Sequence, residues 1–199
     1  TQFLMDMIDN PKLVFELIEV CLSYDIPAMQ RMVAAGVDVV VFGDDYAGKN
    51  STLMSPKHFK KFILPGLKRC VDAAHEAGAY VVKHTDGNIM QVIDMIVETG
   101  IDGLNPLEPP AGMDIGLIKQ KYGDRIALIG NIDCGYLLSQ APVEEVRQVT
   151  RETIETAAPG GGYCLSSSNS IHSSVKPENL AAMRETLREY GEYPIGGTR

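Results

Sequence analysis

The sequence predicts an α/β fold built on a parallel sheet, and three observations carry that prediction. Short apolar runs such as VDVVVF, AYVVKH and RIALIG recur along the chain, each followed by a longer segment with helical periodicity. Prolines open several of the helical segments and glycines close most of them. No linker-like stretch interrupts the series, so residues 1–199 read as one domain.

Taken in order, Asn10-Pro11 supplies an N-cap followed by proline at the first helical position. The helix it opens should run to about Ala35, disturbed near Pro27, and stop at Gly36. VDVVVF (37–42) is a continuous β-branched run, the mark of a parallel strand covered on both faces. Ser55-Pro56 starts the next helix, with Phe59, Phe62, Ile63, Leu67 and Val71 at helical spacing, and Gly78 ends it. Tyr80–His84 is the second strand, followed by a helix from Ile89 to Thr99 that closes at Gly100. Asp102–Asn105 is a short third strand, with a helix over Asp114–Tyr122. Arg125–Gly130 is the fourth strand and Pro142–Ala157 its helix; Tyr163–Ser166 is the fifth, and Pro177–Tyr190 the last helix.

Strands alternating with helices leave two architectures, a doubly wound open sheet or part of an eight-stranded barrel. The first helix has no strand before it, and the opening TQFLMDMIDN begins mid-pattern without methionine. Both features fit a barrel whose early units are missing. No GxGxxG or P-loop follows any strand, so a nucleotide-binding sheet gains no support.

Composition excludes several classes of function. Eighteen basic residues against 26 acidic ones give a net charge of −8, which disfavours nucleic acid. A hydrophobic share of 45% argues against disorder, and no apolar run is long enough for a membrane span, so a cytoplasmic protein is expected. Cys21, Cys70, Cys134 and Cys164 form no CxxC pair, which speaks against a structural zinc knuckle or a disulfide framework.

Ligands of parallel α/β folds bind at the carboxyl ends of the strands. Those ends carry Asp44 and Asp45, then His84 and Asp86, then Asn105 and Glu108, then Asn131 and Asp133, then Ser166 to Asn169. Side chains two apart in a strand share a face, so Val82, His84 and Asp86 should point the same way if the strand persists past His84. An imidazole beside a carboxylate can relay a proton, orient a substrate or bind a metal. Each group also has an ordinary structural alternative. His84 and Asp86 could be a backbone-satisfied histidine and a capping aspartate, and Asp44-Asp45 a turn-former and a helix cap. Asn131 and Asp133 could be turn residues, and Glu108, held by prolines in NPLEPP, merely solvated. Cys134 could reach the strand ends as a soft ligand or thiol, whereas Cys164 reads as core. His58 and His75 read as surface residues on helices. Gly160-Gly161-Gly162 precedes its strand and reads as a turn.

With these residues placed, the chain resembles the uroporphyrinogen decarboxylase family. The resemblance rests on GDDYAG (43–48) followed by SPKHFKKFILPGLK, on HTDG (84–87), on GDRIALIGNID (123–133) and on PGGGYCLSSSNSIHSSVKPENL (159–180). It implies a TIM (β/α)8-type barrel, here its C-terminal five or so βα units, with the N-terminal units absent. It also implies two chemistries: cofactor-free removal of acetate-arm carboxylates from uroporphyrinogen in haem biosynthesis, or methyl transfer to or from a corrinoid, often with zinc activating a thiol. In the decarboxylases the positions of Asp45 and Asn169 typically carry serine and histidine. In the zinc methyltransferases the pattern is His-x-Cys with a later cysteine, so His84 is kept while Asp86 and Asn169 replace the cysteines.

Asp44, Asp45, Glu108, Asn131, Asp133 and Asn169 are then the candidate substrate-binding residues, and His84 and Asp86 the candidate catalytic pair. A zinc would take His84, Asp86 and either Glu108 or Cys134. An acidic set of strand ends would repel a substrate with eight carboxylates, since each like-charge contact near a surface costs on the order of 1–4 kcal/mol. Methyl transfer from a small substrate, with the corrinoid held by a partner protein, is therefore favoured over decarboxylation. A non-catalytic binding fragment is the third expectation, and a homodimer is plausible by resemblance.

Overall fold

The computed structural model describes residues 1–195. Their contacts gather into two compact units, Thr1–Gly103 and a second that begins at Leu104.

The first unit opens with α1 (Gln2–Asp9) and α2 (Pro11–Ala34). The Asn10 side chain caps α2 by accepting from the Leu13 N–H at 3.3 Å, as the Asn-Pro pair predicts. Pro27 lies inside α2, which nevertheless continues unbroken to Ala34. Met7, Val14 and Phe62 form a small core here, and the rings of Phe15 and Phe62 lie 4.9 Å apart. β1 (Val39–Phe42) pairs in parallel with β2 (Tyr80–His84), Val39 opposite Tyr80 and Phe42 opposite Lys83. Only one face of this pair is covered within the unit. Val81 and Lys83 are fully buried, while Val39, Val41 and Tyr80 are exposed, contrary to a strand shielded on both sides.

Between the strands runs α3 (Pro56–His58), capped by Ser55, which leads through a π turn (Phe59–Ile63) into α4 (Leu64–Ala77). Gly78 ends α4 in a left-handed conformation with φ 95°. α5 is shorter than its pattern suggested, spanning Ile93–Val97; Ile89 and Val92 are buried all the same, but in turns. His75 is not a bare surface group: its Nε2 lies 2.8 Å from the Asp102 carboxylate, which also accepts from the Val81 N–H at 2.7 Å.

After β3 (Gly103–Asn105), the second unit holds α6 (Ile115–Tyr122), β4 (Ala127–Ile132), α7 (Val143–Ala157), β5 (Tyr163–Ser167) and α8 (Pro177–Tyr190). β4 and β5 pair in parallel, Leu128 opposite Tyr163 and Ile132 opposite Ser167. β4 starts two residues later than predicted because the N–H groups of Arg125 and Ile126 still bond to the Tyr122 carbonyl, extending the helix's last turn. Asn131 is thus a strand residue and not part of a turn. Gly160, Gly161 and Gly162 do form a turn, all three with positive φ. Cys164, expected in the core, is exposed. The core of this unit gathers Ile132, Cys134, Leu137, Leu138, Val146 and Met183.

Candidate functional site

In the first unit, the segments after β1 and β2 are laced together. The Tyr46 N–H donates to Thr85 Oγ1 at 3.0 Å, the Asp86 N–H to Asp45 Oδ1 at 2.9 Å, and the Asn88 N–H to the Gly48 carbonyl at 2.9 Å. Gly87 has φ 82°, and a Cβ there would lie 2.6 Å from the carbonyl oxygens of Ala47 and Gly48. That closeness is why the HTDG turn needs its glycine.

Beneath the lacing lies Lys83, which the sequence reading missed. It is 0% exposed. Its ammonium donates to the carbonyls of Gly43, of Asp44 at 3.0 Å and of His84 at 2.9 Å. The ring of Tyr46 covers it at 4.2 Å. Burial pushes the Lys83 pKa down to about 8, and burial likewise pushes the Tyr46 phenol up. The available signal was its place two residues after Val81, on the buried face of β2.

The outcome is a compact group. Asp45, His84 and Asp86 each bring one ligand atom within 4.8 Å of the others, and among the described residues they are the group of this kind. His84 Nε2 stands 3.5 Å from Asp86 Oδ1, with both side chains about one-third exposed. Two ligands of a tetrahedral zinc, each 2.0–2.1 Å from the ion, sit roughly 3.3 Å apart, so the spacing suits a shared cation. Asp45, read from sequence as a substrate contact, is the third member of this group; Glu108 and Cys134, the expected third ligands, belong to the second unit. Beside the group is a cavity of about 860 Å³, lined by Asp44, Asp45 and Tyr46 and by apolar residues including Val41, Leu53 and Phe62.

The second unit uses its strand-end residues differently. Asp133 Oδ1 accepts from the Gly135 N–H at 2.9 Å, and its Oδ2 from the N–H groups of Tyr136 at 2.7 Å and Leu137 at 3.1 Å. This carboxylate holds a turn. Glu108 Oε1 accepts from Asn169 Nδ2 at 2.6 Å, tying two candidate residues to each other. Cys134 is 3% exposed and donates its thiol to the Asn169 carbonyl at 3.1 Å, so it is placed as packing. Asn131 is buried and, with Asp133, lines a cavity of about 470 Å³.

Parallel strands that release polar side chains at their carboxyl ends define an α/β protein of the barrel class. Within that class the lineage is specific: a sequence model described as Uroporphyrinogen decarboxylase (URO-D) matches residues 1–190, and the chain belongs to that family. It is 27% identical over 190 residues to a uroporphyrinogen decarboxylase of Thioalkalivibrio sulfidiphilus, covering 92% of this chain and 50% of that one. It is 28% identical over 187 residues to one of Methylococcus capsulatus, covering 92% and 51%. The chain thus spans about half the length of the curated relatives it matches. Among solved structures, a methyltransferase from Methanosarcina mazei superposes with a TM-score of 0.80 at 24% identity, over 96% of this chain and 53% of that one. That likeness shows the fold, the TIM-barrel type in part. Among the described residues, no helix is long and apolar enough to cross a membrane.

Proposed function

We propose that this chain belongs to an enzyme that moves a methyl group between a small methylated substrate and a corrinoid carried by a partner protein, with Asp45, His84 and Asp86 as its reacting centre. The observation that carries this reading is the meeting of two carboxylates and one imidazole within 4.8 Å beside an apolar cavity. One nitrogen and two oxygen donors fit a catalytic zinc, which takes three protein ligands and leaves a position open. Bound there, zinc would supply Lewis acidity to the substrate's heteroatom. The chain's own residues do the rest. Asp45 and Asp86 would offset the ion's charge, His84 would complete the donor set, and Val41, Leu53 and Phe62 offer the substrate's apolar part an apolar wall. Asp44, at the same opening, favours a cationic or neutral substrate over a polyanion.

The names of the relatives favour a second reading, decarboxylation of uroporphyrinogen. The two separate in one experiment on the full-length protein. Methylcobalamin supplied with candidate acceptors should lose its methyl group, and stripping zinc should abolish the loss. Conversion of uroporphyrinogen to coproporphyrinogen without metal would replace this reading with decarboxylation. Neither activity, together with unchanged behaviour of His84→Ala, would leave a binding fragment.

A further inference from the structure

We infer that Lys83 is a positioning residue: its buried ammonium gathers the backbone of residues 43 and 44 to the end of β2 and so sets the Asp45 carboxylate beside His84 and Asp86. The inference rests on the proposed use of that group as a metal-holding centre, and it names what builds the centre.

A fully buried ammonium must satisfy three protons. At Lys83 the acceptors are carbonyls: Gly43 and Asp44 from the segment after β1, and His84 from its own strand. The Phe42 carbonyl stands further out at 3.4 Å. For carbonyls of successive residues to turn toward one point, the chain must curl, and Asp44 accordingly has φ 80°, a conformation uncommon outside glycine. The next residue is Asp45, whose carboxylate takes the Asp86 N–H. Alternation along β2 does the remainder. Lys83 points into the covered face beneath the Tyr46 ring, and His84 points the other way, into the group. One strand end therefore presents a ligand on one side and, on the other, the anchor for the ligand that joins it. An apolar side chain at position 83 would leave those carbonyls without a donor and let the 43–45 curl relax.

Zinc calorimetry and amide hydrogen exchange on the full-length protein test this. In Lys83→Met, zinc affinity should fall about 10–100-fold, the range for residues that orient metal ligands. Exchange should quicken locally, at residues 43–47 and at the Asp86 amide. Lys83→Arg keeps the charge and several donors and should recover much of both. A folded Lys83→Met with wild-type affinity and wild-type exchange at 43–47 overturns the inference. So does a loss that Lys83→Arg fails to recover while exchange rises evenly across the unit, since that marks a merely structural lysine. If Lys83→Met does not fold, Lys83→Gln, which removes the charge but keeps an amide donor, takes its place: exchange raised at 43–47 alone supports positioning, and none or a uniform rise contradicts it. Failure of the wild-type protein to bind zinc would refute the metal reading of the site. The exchange arm would still judge Lys83 by the same pattern.

Discussion

Asp45 and Asp133 both follow the end of a strand, both are aspartates, and both accept backbone N–H groups, yet their surroundings give them different work. Asp133 turns its two oxygens onto three amides of the residues after it and closes a turn. Asp45 takes a single distant amide, that of Asp86, and in doing so stands in a group with an imidazole and a second carboxylate. The difference lies in where the amides come from. A carboxylate bound to its own next residues is a local cap, whereas one bound across strands is part of an assembled site.

Substitutions can break this contrast, and the largest effect should come from the imidazole. His84→Ala should lower turnover by on the order of 10³-fold, as losing a group that holds metal or moves a proton does, with the melting temperature close to wild type. A rate within threefold of wild type would end the assignment. Asp133→Ala should act in reverse. Freeing three amides should cost about 2–3 kcal/mol in a denaturant titration, while zinc affinity stays put. Gly87→Ala probes the lacing itself: a Cβ 2.6 Å from two carbonyl oxygens must push the two segments apart. About 2 kcal/mol of stability should go with it, and zinc affinity should weaken as well, because the displaced segments carry Asp45 and Asp86.

The smallest effect sharpens the picture of what the first unit buries. Burial pushes the Cys70 thiol up to about 11 from its ordinary 9.0. Its folded pKa lies above the unfolded one, so its contribution is intact below pH 9 and is lost as pH rises toward 11, when the unfolded chain releases the proton first. The loss should be about 2 kcal/mol by pH 11. Denaturant titrations at pH 8.5 and 11 should therefore show a shallower alkaline decline in Cys70→Ala than in wild type.

Much of this fold could be read from punctuation. Asn10-Pro11, Ser55-Pro56 and Pro177 begin helices where the sequence says they should, because capping and the fixed φ of proline are local effects. β4 slipped by two residues because the end of α6 is settled by hydrogen bonds that periodicity does not reveal. The site was half legible. His84 and Asp86 stand two apart at the end of β2, so their pairing could be foreseen, although β2 itself stops at His84. Asp45 joined them through the Asp86 amide, a contact 41 residues apart in sequence that no local pattern encodes. Lys83 stayed hidden for a related reason: a lysine in a strand reads as solvent-facing until carbonyls from another segment are seen to surround it. Asp133 looked like a site residue because its residue type and strand-end position match one; its three amide partners, which the sequence did not reveal, show that it also holds a turn.

The most direct measurement is a cobalt(II) titration of metal-stripped full-length protein, followed by visible absorption. If Asp45, His84 and Asp86 hold a divalent ion, wild type and Asp133→Asn should both develop the d–d bands of one bound cobalt per chain. Asp86→Asn should show them only at far higher metal concentration. Equal titrations for Asp86→Asn and wild type, or loss of the bands in a folded Asp133→Asn, would contradict the account.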